Sequence, residues 1–209
     1  MASASPPRYP IAVLVSGGGS NLQALIDASA DPGYGAEIVV VISDRPGVRG
    51  LERAAEAGLP RVVVDWRGHD DRGSFTRAIA DAAEAHGAEA LILAGFMRIL
   101  APDAIRRFPH RIINTHPALL PSFPGAHAIP EALAHGVKLS GVTIHFVDEE
   151  VDHGPIIFQE AVQVRDDDSE SSLQARIQEI EHRAYPEVVD AFARGLVKVD
   201  GRSVRWEGQ

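Results

Sequence analysis

Apolar, β-branched runs alternate with amphipathic helical segments through the first half of this chain, and that alternation leaves few folds open to it. "IAVLV" (11–15), "EIVVVIS" (37–43), "RVVVDW" (61–66), "EALILAGF" (89–96) and "RIINTHP" (111–117) read as strands. The first, second and fourth are apolar without a break, as expected of strands buried on both faces of a mainly parallel sheet. "SNLQALIDASA", "GVRGLERAAEAG", "SFTRAIADAAEAHG" and "APDAIRRFP" supply helices between them, two of them closed by Gly58 and Gly87. Strand, helix, strand at this spacing predicts βαβ units, hence an α/β fold with a doubly wound, mainly parallel sheet.

Beyond residue 116 the pattern changes. "PALLPSFPGAH" (117–127) carries three prolines and is expected to be irregular. "SGVTIHFV" (140–147) and "PIIFQEAVQV" (155–164) predict two more strands joined by "DEEVDHG". A long C-terminal helix follows, its start marked by Ser169 and acidic residues. Pro186 is expected to kink or divide it. The tail "LVKVDGRSVRW" predicts a small hairpin turning at Asp200-Gly201. No repeat or linker interrupts the chain, so residues 10–209 are expected to form a single domain behind a disordered lead over residues 1–9.

Composition narrows the function classes. A chain of 209 residues suits one generous domain with a substantial core. The formal net charge of −9, with no basic block, argues against a nucleic-acid partner. The absence of cysteine excludes thiol nucleophiles and thiolate metal sites, and is compatible with a reducing cytoplasm, the expected location. No apolar stretch approaches a membrane span.

Within "VLVSGGGSNLQALIDA" (13–28), three glycines separate a strand from a helix. A dinucleotide fingerprint beginning Gly17-x-Gly19 needs a small residue where Leu22 stands, and a P-loop needs a lysine that is missing. What remains is a turn whose backbone can approach an anion, best suited to a monophosphate, or a plain turn with Ser20 capping the helix. Further on, Asn114, Thr115 and His116 end a predicted strand, where open α/β sheets bind ligands. Asp152 lies in the loop between two later strands. Brought together, the Asn114 amide can donate to an oxyanion, His116 can shuttle a proton, and the Asp152 carboxylate favours the charged imidazole. With no serine elbow and no cysteine, the chemistry is direct attack of one substrate on another. Turn hydrogen bonding is the ordinary alternative for Asn114 and Asp152. His127, His135 and His145 lack metal-ligand spacing, and no metal is expected.

Together, "SGGGSNLQALIDA", "GLERAAEAG", "LAGFMRIL", "INTHPALLPSFPG", "HFVDEEVDHGPII" and "EHRAYP" resemble the phosphoribosylglycinamide formyltransferases, in order and over nearly the whole chain. The resemblance implies a Rossmann-like formyltransferase fold and transfer of a formyl group from 10-formyltetrahydrofolate to glycinamide ribonucleotide in purine biosynthesis. Asn114, His116 and Asp152 fall on the family's catalytic trio. Gly19, Ser20 and Asn21 fall on its substrate-phosphate loop, and Glu181 on a ribonucleotide contact. Met97, Arg98, Ile99 and Leu100 fall on the folate segment, with Arg72 and Val147 also expected near the folate. His127 matches a family histidine ranked below His116. Gly18 departs from the asparagine often found there, which bears on affinity rather than on the site. The expected partners are small molecules, and a homodimer is allowed but not specified. The nearest alternative is a 10-formyltetrahydrofolate hydrolase. A non-catalytic nucleotide-binding module that has kept the fold and, on fold alone, a dehydrogenase stand further off.

Overall fold

The computed structural model describes residues 7–207. Most of the lead expected over residues 1–9 therefore lies outside the described residues, and Tyr9 already belongs to a strand. Strands β1 (Tyr9–Val15), β2 (Ala36–Ser43), β3 (Arg61–Val63), β4 (Ala90–Leu93), β5 (Ile112–His116), β6 (Leu139–Phe146) and β7 (Ile156–Gln163) form one sheet in the order β3-β2-β1-β4-β5-β6-β7. The first five run parallel, and β6 and β7 are added antiparallel to their neighbours.

Continuous apolar strands are what two helical layers require. Ile11, Val13 and Val15 project into one core, Ala12 and Leu14 into the other, following the two-residue period of a strand. The first core is closed by α1 (Ser20–Ser29), α2 (Arg49–Glu56), α5 (Ala128–His135) and the long α6 (Glu170–Ala193). The second is closed by α3 (Arg72–Ala85) and α4 (Pro102–Arg107). Tyr185 of α6 is fully buried, its hydroxyl 3.0 Å from the Leu93 and Ile113 carbonyls, so α6 is fastened beneath β4 and β5.

Several local expectations change. Pro186 lies inside α6 without dividing it. The buried face of Leu173, Ile177, Tyr185, Val188 and Val189 supplies more stabilisation than the one backbone hydrogen bond that proline removes. Helix α5 has no counterpart in the sequence reading, which assigns nothing between residues 128 and 139. Pro130 stands in the first turn, where an N–H has no intrahelical partner to lose. The segment after Val63 forms a 3-10 turn over Trp66–Gly68 rather than more strand. The hairpin of β8 (Val197–Asp200) and β9 (Ser203–Trp206) pairs Asp200 with Ser203, so its turn is centred on Gly201-Arg202, one residue later than expected. Among the described residues no helix is long and apolar enough to cross a membrane.

Candidate active site

The strand order reverses at β1, with β2 on one side and β4 on the other. Such a switch opens a crevice at the carboxyl ends of the strands. Three chain segments leave the sheet there: the glycine turn after β1, the 94–101 segment after β4, and the proline-rich loop after β5.

Asn114 and His116 share a face of β5 and point into a cavity of about 310 Å³ that also contains Asp152. His116 is 4% exposed, and both its ring nitrogens face acceptors. Nε2 lies 2.8 Å from the Phe123 carbonyl, and Nδ1 lies 3.4 Å from Asp152 Oδ2. Asp152 is held for this contact by the Gly125 N–H, which donates to Oδ2 at 2.7 Å. Asp152 and Phe123 adopt φ of 52° and 54°, a conformation side chains enter only where surrounding contacts hold them.

Sequence reasoning missed the partner of Asn114. On β6, His145 pairs with Asn114 and Thr143 with His116 across the antiparallel ladder. Asn114 Nδ2 lies 3.3 Å from His145 Nε2, while His145 Nδ1 lies 2.8 Å from the Phe146 carbonyl. That carbonyl can only accept, so Nδ1 carries the hydrogen and Nε2 accepts from the Asn114 amide. Burial holds the His145 imidazole below its ordinary pKa, against the Phe146 carbonyl and Asp152, which favours this neutral acceptor. Thr143 Oγ1 donates to the Ala118 carbonyl and accepts from the Leu120 N–H, tying down the proline-rich loop. The available signal was the pair of polar residues two apart in the otherwise apolar "VTIHF".

Thr115 points the other way, as strand alternation requires. Its hydroxyl donates to Glu181 Oε1 at 2.8 Å, and Asn21 Nδ2 donates to Oε2 at 3.2 Å. Glu181 on α6 thus joins the glycine turn to the end of β5. Burial pushes the Glu181 carboxyl above its ordinary pKa, with the Thr115 and Asn21 hydrogen bonds opposing. Asn21 Oδ1 is buried with no partner among the described residues.

Gly19, not Ser20, is the N-cap of α1, and no side chain caps that helix. The plain-cap reading of the turn therefore lacks its hydrogen bond. Gly19 has φ 69°, and a Cβ there would lie 2.8 Å from the Gly50 Cα of α2. Only glycine meets both conditions.

Met97, Arg98, Ile99, Leu100 and Val147 all line the cavity. Met97 and Ile99 are 65% and 52% exposed, an apolar surface available to a flat ligand. Arg98 is held from behind by the fully buried Asp44, its Nε 2.9 Å from Oδ2, and its guanidinium lies 4.2 Å from the Trp66 ring centroid. Burial pushes the Asp44 carboxyl up, but hydrogen bonds from Arg45, Arg98 and Ser16 outweigh it and hold it below its ordinary pKa. Arg72 stands exposed at the start of α3 and His127 exposed just before α5, and neither lines the cavity. His127 and His135 stand at the two ends of α5, and His145 on β6. Among the described residues no group of three or more His, Asp or Glu could hold a metal ion.

Comparison with known proteins gives a consistent set of relatives. The formyl transferase family model matches residues 9–189. A phosphoribosylglycinamide formyltransferase of Mycobacterium tuberculosis is 45% identical over 200 residues, covering 95% of this chain and 92% of that protein. The trifunctional purine biosynthetic protein adenosine-3 of Gallus gallus is 46% identical over 192 residues. That match covers 92% of this chain and 19% of the Gallus gallus protein, so the chain spans about a fifth of that relative's length. The crystal structure of glycinamide ribonucleotide transformylase 1 from Symbiobacterium toebii superposes with a TM-score of 0.94 at 42% identity, covering 98% of this chain and 100% of that one.

Proposed function

This chain belongs to the formyl transferase family, and from that premise we propose that it transfers a formyl group from 10-formyltetrahydrofolate to the amine of glycinamide ribonucleotide, a step of purine biosynthesis. Residues 10–209 act as one formyltransferase domain on two small molecules. The observation that carries this reading is the convergence of Asn114, His116 and Asp152 in one cavity, joined to the glycine turn through Thr115, Glu181 and Asn21.

The folate supplies the activated formyl carbon. The residues present fit it: Met97, Ile99, Leu100 and Val147 offer an apolar wall, with Arg98 oriented by Asp44 at its edge. On the other side, Gly19, Ser20 and Asn21 hold the ribonucleotide phosphate on N–H groups at the start of α1. Glu181, held by Thr115 and Asn21, accepts from the ribonucleotide's hydroxyl or amine donors.

Asn114 gives one amide hydrogen to His145 and keeps the other for the oxygen that becomes negative as the amine attacks. As the amine–carbon bond forms, the bond from the formyl carbon to the folate nitrogen breaks, and the departing nitrogen takes up the proton the amine loses. Nε2 of His116 is committed to the Phe123 carbonyl, so proton movement through this ring occurs at Nδ1, beside Asp152. Asp152 balances the charged ring during that transfer.

The test follows ultraviolet absorbance for deformylation of 10-formyltetrahydrofolate with and without glycinamide ribonucleotide. Turnover that requires the ribonucleotide is expected. Equal turnover in its absence overturns the transferase reading in favour of a hydrolase.

A further inference from the structure

Every carbonyl of the glycine turn accepts a hydrogen bond from α1 or α2. The Gly17 carbonyl accepts from the Gly50 N–H of α2 at 3.0 Å, and the Gly18 carbonyl accepts from Arg53 Nε at 3.0 Å. The Gly19 carbonyl accepts from the Gln23 N–H of α1 at 2.9 Å. In a trans peptide the N–H of the following residue points opposite to the carbonyl. Drawing these oxygens into α2 and α1 therefore turns the N–H groups of Gly18, Gly19 and Ser20 outward together. None of the three has a backbone acceptor among the described residues.

Two of the three carbonyls are held by backbone donors, which any sequence supplies. The Gly18 carbonyl is held by a side chain. Arg53 is itself restrained: Nη1 donates to Gln23 Oε1 at 2.8 Å, and Gln23 Nε2 donates to Asp27 Oδ1 at 2.8 Å. Its Cδ would lie 3.6 Å from a Cβ at Gly19, so the stem packs against the left-handed residue. Arg53, Gln23, Asp27, Ser20 and His182 surround a second cavity beside the turn.

We propose that Arg53 is a positioning residue for the ribonucleotide phosphate: by holding the Gly18 carbonyl it keeps that oxygen off the anion and aims the Gly19 N–H at it. The proposal rests on the reading that the glycine turn binds phosphate. It assigns the effect to the guanidinium fork, which binds Gly18 through Nε and Gln23 through Nη1 at once. A lysine has the charge but not the fork.

The test compares Arg53→Lys and Arg53→Met with the native chain. In both variants KM for glycinamide ribonucleotide rises at least about tenfold, the worth of one charge-assisted hydrogen bond. In the same two variants kcat and the folate KM stay within about twofold, because nothing in the folate cavity has moved. Stabilisation by inorganic phosphate, read as a rise in unfolding temperature, weakens in parallel. Gln23→Leu, which frees the outer end of Arg53, gives a smaller shift in the same direction and serves if the Arg53 variants fail to fold. A lysine variant that behaves like the native chain overturns the proposal, since charge alone then suffices. So does an unchanged ribonucleotide KM in Arg53→Met, or a folate KM that rises equally. Failure of the underlying reading has a different signature: the native chain then shows neither ribonucleotide-dependent turnover nor stabilisation by phosphate.

Discussion

Asn114 and His116 stand two residues apart on β5 and so face one cavity, but what each can do depends on its second contact. Asn114→Ala, His116→Ala and Asp152→Ala are each expected to lower turnover at least about a hundredfold, since an oxyanion-hole donor contributes ~3 kcal/mol to the transition state. Single-turnover formyl transfer measures this, and a near-native rate for His116→Ala would remove it from the chemistry. His145→Phe keeps the ring's bulk but deletes the acceptor that orients Asn114. It should lower kcat about tenfold with little change in either KM, one buried hydrogen bond having been lost. Glu181 carries the opposite stability sign to most carboxylates. Its folded pKa is raised, so its stabilising contribution is full at low pH and is lost as pH rises through that folded value. Glu181→Gln should thus raise the unfolding temperature at neutral pH while raising the ribonucleotide KM, a pairing that thermal melts and kinetics check together. The placement of Asn114 and His116 in the crevice was legible in the sequence because polar residues end an apolar strand at the sheet's carboxyl edge. The role of His145 was not, because it depends on the register of β6 against β5.

At the scale of elements, the site is made by loops that the strands hold in place. The loop carrying Asp152 returns to the sheet at Gly154, where a Cβ would fall 1.8 Å from the Phe146 carbonyl. Gly154→Ala must therefore push the loop off β6 and carry Asp152 away from His116. A loss of turnover as large as that of Asp152→Ala is expected, about a hundredfold, with an unaltered far-ultraviolet circular dichroism spectrum. Native turnover in Gly154→Ala would show that the loop can be held elsewhere. The strands and the main helices followed from hydrophobic period. Helix α5 and the undivided α6 did not, because Pro130 and Pro186 are local stop signals overruled by position in the first turn and by a buried face.

At the scale of the whole molecule, two cores on opposite faces of the sheet leave the crevice at β1 and β4 as the place where buried charge is tolerated. Asp44 sits there, fully buried and paired with Arg45 and Arg98. Its folded pKa lies below the ordinary 3.8, so its contribution is present above that value and is lost as pH falls through the folded one. Asp44→Asn should lower stability at neutral pH by about 2 kcal/mol, less than for a fully buried pair because both arginines remain partly in solvent. The deficit should shrink as pH drops below 4, and a deficit independent of pH would assign it to packing instead. By itself the sequence determined the class of fold, the single sheet and the identity of the polar residues at its carboxyl edge, because each of these follows from local period and from where the period breaks. Only the tertiary structure decided which of those residues meet: Asn114 with His145, Asp152 with Gly125 and His116, Asn21 with Glu181, Arg53 with Gly18. Each of those pairs joins residues distant in sequence, and their meeting depends on strand order, ladder register and helix packing, which local period does not encode.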